Sequence, residues 1–332
     1  MMKRMRKLGL LLLSVVLVLA VSAGLTLTAA EKLIKVGIVN LPPEESGYRQ
    51  ANVEDMNNVF SRKNGYDAKQ TNTADNSEQM AAAMGHIRDG VDYLLISAAN
   101  ASGWDDVLLA AKRAGVTVIL FDRMIDTDPT NYQAALVSDM YYEGQLATDW
   151  ILKNVPAPRK VILIRGQLGS AAEVGRSAPL LKAAEEGKLS IVADGTGGDT
   201  WSLEEARKVV EAAIAAGKDF NVIYAQNDGM AQGACQALEA AGISFGKNGK
   251  VKIIGFDFNR FALRNVQAGY WNVDVQCNPR MASQIDQWIK SGNIPKGIVY
   301  QKEVLLDTDT ITDADIEKLG INPDPGKNVI TR

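Results

Sequence analysis

The sequence predicts a two-lobed α/β protein whose lobes are built on parallel sheets covered by helices on both faces. Three observations carry that expectation. Short Val/Ile/Leu runs alternate with longer helical patterns along most of the chain. The runs are continuously apolar, as strands buried on both faces are. The rhythm passes through four or five units and restarts at Met140, so 332 residues make two lobes, each able to bury its own core.

Ile34–Asn40 (IKVGIVN) reads as the first buried strand, followed by a helix from Gly47 to Lys63. Asp67–Thr71 is a strand, and Ser77–Asp89 a helix opened by a Ser cap. Tyr93–Ser97 is a strand, Trp104–Ala114 a helix closed by Gly115, and Val116–Phe121 and Ala135–Ser138 are strands. In the second series the helices are Tyr142–Asn154, Glu173–Glu186, Leu203–Ala216 and Gly229–Ala241. Its strands are Lys160–Arg165, Leu189–Ala193, Val222–Ala225, Lys252–Phe256 and Asn272–Gln276. Phe261–Ala268 and Pro279–Ser291 are helices, Lys296–Leu305 is extended, and a short capped helix follows Thr312. No Pro/Gly/Ser-rich linker separates the halves, so crossover strands should join them, the chain passing between lobes three times. The expected division is 31–138 with 278–304, and 139–277 with 305–332.

The first thirty residues stand apart. Lys3, Arg4, Arg6 and Lys7 precede the uncharged apolar run Leu8–Ala23, and small residues end in Thr28-Ala29-Ala30. That is the order of a secretory signal, cleaved after Ala23 or, preferably, after Ala30. An uncleaved anchor is the other reading of so apolar a run. Losing residues 1–30 removes four cations and no anions, moving the net charge from −3 to −7. An acidic exported protein is a poor partner for nucleic acid.

Composition narrows the chemistry further. With His86 the only imidazole, neither a His-rich metal site nor a Cys/His zinc cluster is available. Any Ser-His-Asp mechanism would have to use His86, which reads as a partly exposed helix residue. Cys235 and Cys277 read as buried free thiols, and Trp104 as packing at a helix start. The GQLG loop after Lys160–Arg165 lacks both the dinucleotide fingerprint and the phosphate-loop Lys-Ser/Thr. No cofactor and no catalytic residue are expected.

Ligands of open parallel sheets bind beyond the carboxyl ends of the strands. The residues there are polar and planar: Asp122 and Arg123, Asn227, Asp257, Gln276, with Tyr48 and Arg49 at a helix start and Arg176 one turn into another. Carboxylates, carboxamides and guanidinium groups match pairs of sugar hydroxyls, and an aromatic ring covers a sugar's C–H face. Burying such groups is costly unless a polar ligand satisfies them.

The run GVDYLLISAANASGWDDVLLAAKRAGVTVILFDR, with SDMYYEGQLATDWILKN, RGQLGSAAEVGR, YAQNDGMAQGACQALEAAGI and GFDF, resembles bacterial periplasmic sugar-binding proteins of the ribose/galactose type, which feed ABC importers. SGYR, SGWDDVL, FDR, EGQL and YAQND are most similar to galactofuranose-binding proteins. The resemblance spans residues 34–300 and implies the type I periplasmic binding protein fold. It implies that Asp122 and Arg123 hold hydroxyls from the first lobe, that Arg176, Asn227 and Asp257 do so from the second, and that Gln276 sits at the crossover. Tyr48 takes the place of a stacking aromatic, and Arg49 that of an Arg typical of the galactofuranose branch. Relatives carry Phe near Thr200, whereas this chain has Trp201 one position later, and LPPEES is unusually rich in Pro and Glu. The expected partners are a monosaccharide, the permease subunits of an importer and a chemoreceptor, for a periplasmic monomer. Arg49, Arg123 and Arg176 together leave a receptor for a sugar acid, polyol or autoinducer as the alternative. A transcription regulator would need a helix-turn-helix segment where the signal stands.

Overall fold

In the computed structural model, which describes residues 32–327 and 329–332, the strands form two six-stranded sheets. The expected export segment, 1–30, lies outside the described residues. The first sheet holds β1 (Ile34–Asn40), β2 (Tyr66–Asn72), β3 (Tyr93–Ile96), β4 (Thr117–Asp122), β5 (Ala134–Val137) and β11 (Gly297–Tyr300). Their order is β11-β5-β4-β3-β1-β2, and every pairing is parallel. The second holds β6 (Lys160–Arg165), β7 (Ser190–Thr196), β8 (Val222–Ala225), β9 (Lys252–Phe256), β10 (Val273–Val275) and β12 (Leu305–Asp307), in the order β12-β10-β9-β8-β6-β7. Here only the edge strand β12 runs antiparallel, against β10. The chain therefore changes sheets after β5, after β10 and between β11 and β12.

Strand parity explains why each sheet needs helices on both sides. Successive side chains point to opposite faces. Leu94, Ile96, Val118 and Leu120 pack with Ala83, Val107, Leu108 and Ala111 of α2 (Asn76–Arg88) and α3 (Asp105–Ala114). The intervening Leu95, Ile119 and Phe121 pack with Met56 of α1 (Gly47–Val59) and Ile285 and Ile289 of α9 (Ala282–Ser291). In the second sheet, Val161, Leu163, Tyr224 and Phe256 meet α4 (Met140–Asn154) and α5 (Ala171–Glu185) through Ala147, Ile151 and Leu180. Ile162, Ile164, Ile223 and Ile253 meet α6 (Leu203–Ala215), α7 (Asp228–Ala240) and α8 (Arg260–Gln267). No helix among the described residues is long and apolar enough to cross a membrane.

Several local expectations are corrected. Asp75, not Ser77, caps α2, accepting a hydrogen bond from the Glu78 amide. The first helix stops at Val59; Arg62–Asn64 forms a single 3-10 turn closed by Gly65 at φ +92°. The extended stretch 296–305 is two strands in different sheets. His86 is 3% exposed rather than partly exposed, because Gly37 makes room for it: a Cβ there would stand 2.5 Å from His86 Cγ. Cys235 and Cys277 are buried free thiols, and Trp104 is fully buried with its indole N–H donated to the Asn100 carbonyl. The C-terminal helix α10 (Asp313–Leu319) opens with a capping box between Thr312 and Asp315.

Candidate functional site

Each sheet reverses its strand order once, between β1 and β3 and between β6 and β8. A loop leaving either side of such a point diverges from its neighbour and leaves a crevice at the carboxyl edge. A cleft collects residues from both of these edges: Tyr48, Arg49, Asp122, Arg123, Arg176, Asn227 and Asp257. It does not include Gln276, which is buried nearby and donates its main-chain N–H to Val304; the adjacent Cys277 lines the cleft instead. Glu45, Met140 and Trp201 are further lining residues.

Local structure aims these groups. Ser46 caps α1 by accepting from the Arg49 amide, so Tyr48 and Arg49 fall in the first turn. Asp122 ends β4 at φ +65°, a left-handed conformation that costs a non-glycine residue on the order of 1 kcal/mol or more. Asp257 (φ +111°) and Phe258 (φ +62°) do the same after β9. Asn227 caps α7, its side-chain oxygen accepting from the Met230 amide at 2.7 Å. Trp201, at φ +52°, lies against Gly166, where a Cβ would come within 2.0 Å of its ring.

Asp122 organises the first edge. Its Oδ1 accepts from the Tyr48 hydroxyl (2.8 Å), and its Oδ2 from Arg49 Nη2 (2.6 Å) and the Ser97 hydroxyl (2.8 Å). Burial pushes the Asp122 carboxyl up, but Arg49, Arg123 and these hydrogen bonds outweigh it and hold it below the usual carboxylate range. Burial likewise opposes the charge of Arg49, and Asp122 and Glu45 more than offset it, leaving that guanidinium more basic than usual. Burial and the neighbouring Asp122 push the Tyr48 hydroxyl well above its ordinary value, so it is a neutral donor. Glu45 spans two guanidinium groups, accepting from Arg49 Nε and Arg123 Nη2 at 3.1 Å each.

Arg176 organises the second edge. Its Nε donates to Glu143 at 2.6 Å, Nη1 to the Gln226 carbonyl and Nη2 to Asp257 at 3.4 Å, while its guanidinium lies 4.8 Å from the Phe256 ring centre. Burial raises the Asp257 carboxyl well above its ordinary value, and Arg176 only partly opposes this. Beneath the site, burial raises the Asp228 carboxyl to about 7, and burial together with the neighbouring Asp228 and Asp257 charges takes Asp274 well up. Burial also raises the Cys277 thiol well above its usual value, so it stays protonated at neutral pH and is a poor nucleophile. Among the described residues, two buried donors that line the cleft have no partner: Arg123 Nη1 and the Trp201 indole N–H.

Of the eight residues predicted for the site, seven line one cleft. Glu45 and Cys277 were missed. Glu45 ends the 3-10 turn Pro43–Glu45 just before α1, and Cys277 adjoins the predicted Gln276. Glu143 does not line the cleft but stands behind Arg176; it belongs to the EGQL motif.

The arrangement is that of a ligand cradle between two α/β lobes, and known proteins share it. The galactofuranose-binding protein YtfQ of Escherichia coli is 29% identical over 304 residues, covering 89% of this chain and 94% of that protein. A crystal structure of a galactofuranose binding protein superimposes with a TM-score of 0.78 at 28% identity, covering 86% of this chain and 98% of the other. The binding protein of the arabinose ABC transporter from Shewanella sp. ANA-3, bound to α- and β-L-arabinofuranose, gives a TM-score of 0.77 at 25% identity, covering 86% and 95%. Residues 36–285 match the periplasmic binding protein domain, and the chain belongs to that family, whose type I fold its two parallel-dominated sheets share.

Proposed function

We propose that this protein is an exported receptor that captures a monosaccharide, furanose forms included, and delivers it to an ABC importer. One observation carries the proposal: a single interlobe cleft gathers carboxylate, carboxamide and guanidinium groups from the carboxyl edges of both sheets, with Tyr48 and Trp201 beside them. Tyr48, Arg49, Asp122, Arg123, Arg176, Asn227 and Asp257 are the proposed contacts. The sugar-binding relatives support the ligand class.

In this reading the signal segment is cleaved, and the mature monomer works in the periplasm without turnover of its ligand. The lobes, 31–138 with 278–304 and 139–277 with 305–332, close on the sugar. Closure is a population shift, since only the closed form makes contacts from both edges. Titration calorimetry of the mature protein against pentoses and hexoses tests the proposal. A single-site isotherm with at least one of them is expected, and silence across the panel would sink it.

A further inference from the structure

A cleft with three arginines would ordinarily suit an anionic ligand, because a guanidinium holds a carboxylate through two parallel N–H bonds. Here those donor pairs are engaged by the protein itself. Arg49 gives Nε to Glu45, Nη2 to Asp122, and Nη1 to the side-chain oxygens of Asn40 and Asn52. Arg176 gives Nε to Glu143, Nη1 to the Gln226 carbonyl and Nη2 to Asp257. Arg123 gives Nη2 to Glu45, with Asp122 3.8 Å from its Nε, and its buried Nη1 has no partner among the described residues. Nη2 belongs to both of the parallel donor pairs a guanidinium can offer, so with Nη2 held by Glu45 the remaining donors suit a hydroxyl and fall short of a two-pronged clamp on a carboxylate.

Glu45 hydrogen-bonds two cleft guanidinium groups at once, Arg49 through one carboxylate oxygen and Arg123 through the other. It is nearly buried, with 8% of its side chain exposed, and lines the cleft. We infer that Glu45 is a specificity-determining residue that makes the cleft select neutral sugars and reject sugar acids, its carboxylate taking the place that a ligand's carboxylate would need. Its removal would free Arg49 Nε and Arg123 Nη2, the latter beside the unpartnered Nη1. It would also leave the cleft one negative charge short.

This inference rests on the sugar-receptor reading and deepens it. The test compares D-galactose and L-arabinose with D-galacturonate and L-arabinonate by titration calorimetry, on the wild-type mature chain, Glu45→Gln, Glu45→Ala and Glu45→Asp. The wild type should bind a neutral sugar and reject the acids. In Glu45→Gln and Glu45→Ala the ratio of acid to neutral affinity should rise about tenfold or more, the scale of a regained charge-assisted hydrogen bond. The gained acid binding should weaken with salt, and Glu45→Asp, which keeps the charge, should keep the rejection. A wild type that already binds the acids as tightly as the neutral sugars overturns the inference whether or not the variants fold. So does an unchanged ratio in folded Glu45→Gln and Glu45→Ala, and in that case the sugar-receptor reading stands. Where the wild type takes neither of these two neutral sugars, the sugar it does take from the pentose and hexose panel and that sugar's acid replace them, and silence across the whole panel overturns the sugar-receptor reading itself.

Discussion

Asp122 shows how one side chain ties local strain to the site. It accepts left-handed backbone in order to receive Tyr48, Arg49 and Ser97 at once. Asp122→Ala leaves the fully buried Arg49 with Glu45 as its remaining carboxylate and deprives Tyr48 and Ser97 of their acceptor, and urea unfolding should show a loss of about 3 kcal/mol. Because its folded pKa lies below the unfolded one, its stabilisation is complete above about pH 4 and is lost as pH falls through the folded value. Trp201→Phe keeps an aromatic ring and deletes an unpartnered indole N–H at the cleft, so sugar affinity should drop roughly 2- to 10-fold by calorimetry. Unaltered affinity would show that the indole N–H makes no bond to the ligand. Asp122, Arg123, Asn227 and Asp257 were legible in the sequence because each stands within two residues of the end of an apolar run. Glu45 was not, since its meaning depends on Arg123, far along the chain and brought near only by tertiary packing. Gln276 does not line the cleft, whereas the adjacent Cys277 does.

Strands were the most readable elements. Lys160–Arg165, Val222–Ala225 and Lys252–Phe256 have the expected bounds, since an unbroken apolar run flanked by polar residues leaves little latitude. Helix starts were less so: Asp75, Asn76 and Ser77 are all good caps, and packing of the first turn decides among them. Helix-to-helix spacing was not visible in the pattern at all. A Cβ on Gly144 of α4 would stand 2.6 Å from the Arg176 carbonyl of α5, so these helices touch backbone to backbone at the residue that organises the second edge. Gly144→Ala should cost about 1–3 kcal/mol in thermal unfolding and also weaken ligand binding, because α5 carries Arg176 away from Asp257. Destabilisation with intact affinity would show that the site tolerates the shift.

For the molecule as a whole, the buried carboxyls set the pH response. Asp228 binds a proton in the fold up to about pH 7, which the unfolded chain releases near 4, so stability should fall as pH climbs through that window. Asp274→Asn removes a second buried carboxyl that takes up a proton in the fold and should flatten the fall; denaturant melts at pH 5 and pH 8 measure it. An unchanged slope would place its origin elsewhere. The alternation of elements made the two-lobed plan readable, yet the last two strands, being short, read as one extended stretch. Their separate destinations bear on how the protein is made. A chain emerging N-terminus first presents β5 as a bare sheet edge until Gly297–Tyr300 has been synthesised. Unpaired edges invite pairing with other chains. Folding that starts during synthesis would leave that edge open while β6 to β10 of the second sheet are made, whereas folding after the full length is delivered closes both sheets together.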